Sequence, residues 1–135
     1  MTGTQIRVRV ADEQYALPVE HVLEIAELGD IAAVPGARET ALGVRNVRGR
    51  LLPVFDLAPL LSLSRESPPS RLLIAEAGPH TAGFAVDEVC DVGLLDGKSQ
   101  EAEHGLLAGS VLVEDGLVGL IDVPRLFAEL EREGP

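Results

Sequence analysis

Ile6-Arg7-Val8-Arg9-Val10 alternates apolar and charged residues, as a strand with one buried face does. Two further apolar runs, residues 15–19 and 22–28, predict strands split by a short turn. Val34-Pro35-Gly36 is a turn signal, and it leads into predicted strands over 43–47 and 51–55 joined across Arg48-Gly49. Pro53 lies inside the second of these, so its missing N–H predicts an edge or a bulge there. A short helix over 57–61 follows, and residues 62–70, with Pro68-Pro69, read as a linker. The plan then returns, with strands over 72–76, 82–86, 89–95, 112–114 and 117–121. An amphipathic helix from Pro124 to about Arg132 ends it, with proline in the first turn, where its lost N–H has no partner to miss.

The return is a duplication. Displaced by 67 residues, Val19, Glu20, Val22, Glu24 and Leu28 fall on Val86, Asp87, Val89, Asp91 and Leu95. Displaced by 66, Gly43, Val47, Leu51, Asp56 and Leu60 fall on Gly109, Val113, Leu117, Asp122 and Leu126. Single apolar matches arise by chance, but acids and glycines that hold register over two segments argue for a repeat. About five short strands per copy, punctuated by Gly and Pro, predict one all-β domain of two small barrels packed side by side. One copy covers about 6–63 and the other about 71–130.

Composition narrows the function. Hydrophobic residues are 46% of the chain, enough for a core, while aromatics are only 3%, so the core is expected to be aliphatic. Few rings are left for stacking bases. A net charge of −11 repels phosphate backbones and anionic head groups, which argues against nucleic acid and membrane-surface partners. Against that background Arg38, Arg45, Arg48 and Arg50 stand in a stretch whose one acid is Glu39. No apolar stretch reaches the roughly 18 residues of a membrane span. No charged-then-apolar leader opens the chain, and the lone Cys90 excludes an internal disulfide, so a cytoplasmic protein is expected.

Candidate chemistry is thin. Cys90 aligns with Leu23 of the other copy and reads as a buried filler thiol rather than a nucleophile. His21, His80 and His104 share no metal-ligand spacing and read as surface or structural residues. Gly93-Leu94-Leu95-Asp96-Gly97-Lys98-Ser99 ends like a phosphate loop, but three residues separate its glycines where four are needed, so it reads as a turn. Asp87-Glu88 and the pair Asp56 and Asp122 could do acid–base work. Asp56 and Asp122, however, stand at equivalent strand ends before predicted helices, which points to N-capping.

The segment Gly43-Val44-Arg45-Asn46-Val47-Arg48-Gly49-Arg50-Leu51-Leu52-Pro53-Val54-Phe55-Asp56-Leu57 closely resembles the signature of CheW-like proteins: Gly-Val-x-Asn-Leu-Arg-Gly, three residues, then Pro-Val-x-Asp-Leu. Tyr15-Ala16-Leu17-Pro18-Val19, Val34-Pro35-Gly36 and Gly83-Phe84-Ala85-Val86-Asp87-Glu88-Val89 follow the same family order. The resemblance runs from Ile6 to about Phe127 and implies two SH3-like barrels around a shared hydrophobic core. It implies a non-catalytic adaptor without a cofactor, recruited to chemoreceptor arrays, that bridges a chemoreceptor's cytoplasmic tip and the regulatory domain of a CheA-type histidine kinase.

Carried over by position, Arg48 matches the arginine tied to receptor coupling, and Val22 and Glu24 match positions at the mouth of the receptor groove. Asn46, Gly49, Pro53 and Asp56 match motif positions with structural roles. The groove is expected to be apolar and to take one face of a helix. The connection over residues 96–108 is shorter than is usual in the family, which sets against the bridging role a second reading, a receptor-binding regulator or spacer that does not dock the kinase. A small enzyme is the remote third.

Overall fold

The computed structural model describes residues 3–101 and 105–133. Among these residues eleven strands and two helices run in the order β1 (Gln5–Val10), β2 (Glu13–Pro18), a 3₁₀ turn (Val19–His21), β3 (Val22–Glu27), β4 (Ala41–Val47), β5 (Arg50–Asp56) and α1 (Leu57–Leu60). The second half continues with β6 (Arg71–Ala77), β7 (His80–Val86), β8 (Glu88–Gly93), β9 (Lys98–Gln100), β10 (Leu107–Val113), β11 (Gly116–Ile121) and α2 (Val123–Glu133).

The pairing registers carry the duplication. Ile25 opposes Leu73 on β3–β6, and Val92 opposes Ile6 on β8–β1, the same pair displaced by 67. Gly43 opposes Val54 on β4–β5, and Gly109 opposes Leu120 on β10–β11, displaced by 66. Even the bulges coincide, since β3 skips Leu23 where β8 skips Cys90, and β4 skips Leu42 where β10 skips Ala108. A bulge adds one unpaired residue and turns the strand, so matched bulges mark matched bends.

The copies are nevertheless not the barrels. One sheet runs β8-β1-β2-β11-β10-β9 and the other β3-β6-β7-β5-β4, so each draws strands from both halves. The division at 6–63 and 71–130 follows the repeat in sequence, while the two copies exchange their opening hairpins: β6–β7 lies between β3 and β5, and β1–β2 between β8 and β11, through the parallel pairs β5–β7 and β11–β2. The six-stranded sheet also gains β9, in a stretch expected to be connection; Lys98 and Ser99 of the phosphate-loop lookalike are strand residues paired to β10.

A central cluster including Val8, Leu17, Leu73, Phe84, Val86 and Leu126 lies between the barrels. Each barrel has its own smaller interior: Leu52, Val54, Leu72 and Ile74 in the first, Ala16, Val111, Val118 and Leu120 in the second. The expected aliphatic core has an aromatic centre. Phe84 stands edge-on to Phe127 at 5.6 Å and tilted against Phe55 at 6.1 Å, so the three phenylalanines of the chain converge. Pro53 opposes Val44, and pairing of β5 to β7 starts only at Val54, so proline occupies a position flanked on one side.

Candidate functional site

The signature segment is the β4–β5 hairpin. Val47 pairs with Arg50, leaving Arg48 and Gly49 as a two-residue loop with φ of 51° and 83°. Both lie in the left-handed region, as the tight hairpin turn matching strand twist requires. The Asn46 side-chain oxygen accepts the Gly49 N–H at 2.8 Å, which fixes the turn from within. Gly43 is required for another reason: at φ 144°, a Cβ there would stand 2.2 Å from the Ala32 carbonyl oxygen, where Ala32 and Val44 form a bridge.

The hairpin tip reaches back to β3. Arg48 forms an ion pair with Glu24, its own side chain 76% exposed and that of Glu24 28%. Arg45 donates to the Glu27 carbonyl at 2.6 Å, so arginines from the hairpin straddle the seam between β3 and β4. The bulge decides which neighbours join them. Val22 opposes Ala75 and packs half-buried on the central core, while Glu24 opposes the adjacent Ile74 of the first barrel's interior. Adjacent residues of a strand face opposite ways. Glu24 and Arg48 therefore meet, and Val22 points into the core behind them.

Along the same hairpin lies a groove. A cavity of about 320 Å³ is lined by Val34, Pro35, Val44, Pro53, Phe55 and Leu130. A second of about 390 Å³ shares Pro53, Phe55 and Leu130 with it and extends past Leu51 to Phe127. Leu51, next to Arg50, is one of the most exposed large apolar side chains. An apolar trough along a hairpin that carries arginines at its tip suits one face of an amphipathic helix with acids along its edge.

A family model described as the CheW-like domain matches residues 5–131. The chain belongs to the CheW-like domain family. Among its relatives are a "Probable chemotaxis protein CheW" of Rhizobium etli, 28% identical over 95% of this chain and 89% of that protein. The "Chemotaxis protein CheW" of Thermotoga maritima is 31% identical over 88% of this chain and 84% of that protein. The scaffolding protein TtCheW of Thermoanaerobacter tengcongensis superposes with a TM-score of 0.83 at 26% identity, covering 94% of this chain and 93% of that one. A scaffold or adaptor role in chemotaxis is the function that this CheW-like membership supports, and the two sheets are its pair of SH3-like barrels.

Other candidate residues fall into place around the site. Asp56 caps α1, accepting the Ala58 N–H at 3.1 Å, and Asp122 caps α2, accepting the Arg125 N–H at 3.1 Å. His21 Nδ1 lies 3.0 Å from the Glu76 carbonyl, and His80 lies 2.6 Å from Glu131 while stacking on Phe127. His104 falls outside the described residues. Among the described residues no group of three or more His, Cys, Asp or Glu could hold a metal ion, and no helix is long and apolar enough to cross a membrane.

Cys90 requires a correction. It does align with Leu23, but both are bulge residues, and both are exposed. An unpaired bulge residue is released from the alternation that would turn it inward, which defeats the buried-filler reading. Partial desolvation, then the nearby Glu88, push its thiol pKa above the ordinary value.

Arg65, in the presumed linker, escaped the sequence reading altogether. It donates to Asp56 at 2.5 and 3.2 Å and also to Asp87, with all three side chains at most 13% exposed. Asp87 in turn accepts the Ala11 N–H at 3.1 Å, so one residue of the connection ties the end of the first copy to the middle of the second. Burial acts against the Arg65 charge, but its hydrogen bonds to the two aspartates outweigh it and leave its pKa raised.

Proposed function

We propose that this chain bridges the cytoplasmic tip of a chemoreceptor and a CheA-type histidine kinase in the cytoplasm, with the surface around Glu24 and Arg48 meeting the receptor. The observation that carries this reading is the β4–β5 hairpin, whose arginine tip pairs with Glu24 and whose base lines an apolar groove through Val44, Pro53 and Phe55, in a chain of net charge −11. The receptor helix lays its apolar face along Val44, Pro53 and Phe55, while Arg48 orients it. Charge at the rim of such a contact acts on approach and register more than on affinity. Val22 contributes from behind, seating β3 on the core so that Glu24 faces the seam.

The bridging reading is favoured over a receptor-only spacer because the second barrel is a complete sheet despite the short 96–108 connection, with β9 added to its edge. The test is titration of the purified chain with a chemoreceptor cytoplasmic fragment and, separately, with the kinase regulatory domain, each at low and high salt. Arg48→Glu is expected to weaken receptor binding and to flatten its salt dependence. Receptor binding unchanged in Arg48→Glu would remove this surface from the interface. Absence of kinase binding in the wild type would leave the spacer reading in its place.

A further inference from the structure

The duplicated chain supplies its own control, because, β9 apart, the strands of one barrel have equivalents in the other. The interior face of β6 carries Leu72 and Ile74 in the first barrel. Displaced by 67, the equivalent positions on β1 in the second barrel are Gln5 and Arg7, opposite Pro18 and the interior residue Ala16. Gln5 is 2% exposed with its side-chain oxygen unpartnered, and the Arg7 side chain is 20% exposed with its Nε buried and unpartnered. The Arg7 guanidinium reaches Asp91 on β8 at 3.9 Å and Asp115 in the β10–β11 turn at 3.7 Å. These are long contacts to carboxylates that are themselves mostly exposed.

The two seams are closed in opposite ways. In the first barrel, Glu24 on β3 meets Arg48 of the hairpin tip directly. In the second, the equivalent positions are Asp91 and Glu114, with Asp115 beside it, so strand and tip are both acidic and cannot pair. Arg7 stands between them instead, from inside the barrel. A half-buried arginine whose Nε is buried and unpartnered, with long, exposed counter-charges, is under-compensated, and its attractions weaken in salt.

We propose that Arg7 is a salt-sensitive latch on the second barrel, closing the seam between β8 and the β10–β11 hairpin at a cost in stability that makes this barrel the one that opens. The opening is local, because the second barrel's interior is a cluster separate from the central core. Elements that open below the global unfolding free energy are those a protein can lend to conformational response.

The test is hydrogen exchange on the whole chain at low and high salt, comparing amides of β10–β11 with their equivalents on β4–β5. In the wild type, β10–β11 exchanges faster, and the difference widens with salt. Arg7→Ile, which installs the first barrel's residue, slows β10–β11 exchange on the order of tenfold and removes its salt dependence. Arg7→Met serves as a second hydrophobic replacement, should the branched side chain fit poorly. Asp115→Asn speeds β10–β11 exchange and leaves β4–β5 unchanged. Equal, salt-independent exchange of the two hairpins in the wild type, or faster β10–β11 exchange in both Arg7 variants, overturns the proposal.

Discussion

Arg48 holds a left-handed backbone, φ 51°, at a position where its neighbour Gly49 pays no such penalty. For a residue with a Cβ this conformation costs about 1 kcal/mol, and strain kept at a site is a pointer to use. Its ion pair with Glu24 is too exposed to repay much, since surface pairs contribute roughly 0–1 kcal/mol. Arg48→Asn, which tolerates the left-handed region, is therefore expected to hold or raise stability in urea unfolding by up to about 1 kcal/mol while weakening receptor binding. Wild-type receptor affinity in that variant would show the strain to be incidental. At Cys90 the expectation runs the other way, towards indifference. An exposed bulge thiol leaves no cavity, so Cys90→Ala is expected to change stability by less than about 0.5 kcal/mol. Its raised pKa means less thiolate at neutral pH than an ordinary cysteine, so alkylation is slow at pH 7 and accelerates only as pH climbs past the usual thiol range. Fast labelling at neutral pH would contradict that environment.

Among the elements, the helix caps were legible in the sequence and the Arg65 tie was not. Asp56 and Asp122 announce themselves because a cap is local: an acid, a strand end and a helix start within a few residues. Arg65 pairs with Asp56 and Asp87, nine and 22 residues away, and a Ser- and Pro-rich stretch gives no sign of which acids will close on it. The bulges at Leu23 and Cys90 were hidden in the same manner, since strand alternation predicts faces correctly only while no residue is inserted. The consequence is a difference between two equivalent caps. Asp122→Ala loses a cap and an exposed contact to Arg125, about 1 kcal/mol. Asp56→Ala also strips Arg65 of one buried partner and is expected to lose more. Arg65→Met leaves Asp56 buried without its cation and Asp87 with only the longer contact to Arg9, a loss of about 3–5 kcal/mol in chemical denaturation. A loss near 1 kcal/mol for Arg65→Met would mean that water replaces the guanidinium and that the tie is dispensable.

At the scale of the molecule, the periodicity and the repeat made the all-β duplication readable, but not the exchange of strands between its halves. Repeat detection compares positions along the chain, whereas β3 could bond either to its own copy or to the other, and only packing chooses. Here β3 lies on β6 and β8 on β1, so each copy completes the other's sheet. The parallel pairs add to this, with β5 on β7 and β11 on β2. A half expressed alone would therefore hold two fragments of sheet with open edges and half of the central core, and neither Phe84 nor Leu17 would be covered. Two fragments cut in the connection, residues 1–66 and 67–135, are each expected to be unfolded by circular dichroism. Mixed in equal amounts they are expected to recover a cooperative unfolding transition, because every ladder except the covalent connection can re-form. That transition should rest on the tie just described: Arg65, at the end of the first fragment, binds Asp87 in the second. Arg65→Met in the first fragment should therefore weaken reassembly by more than tenfold, the fold-change that 1.4 kcal/mol represents. Independent folding of either fragment would mean that its strands can pair within their own copy, and that the exchanged arrangement is a choice made by the intact chain.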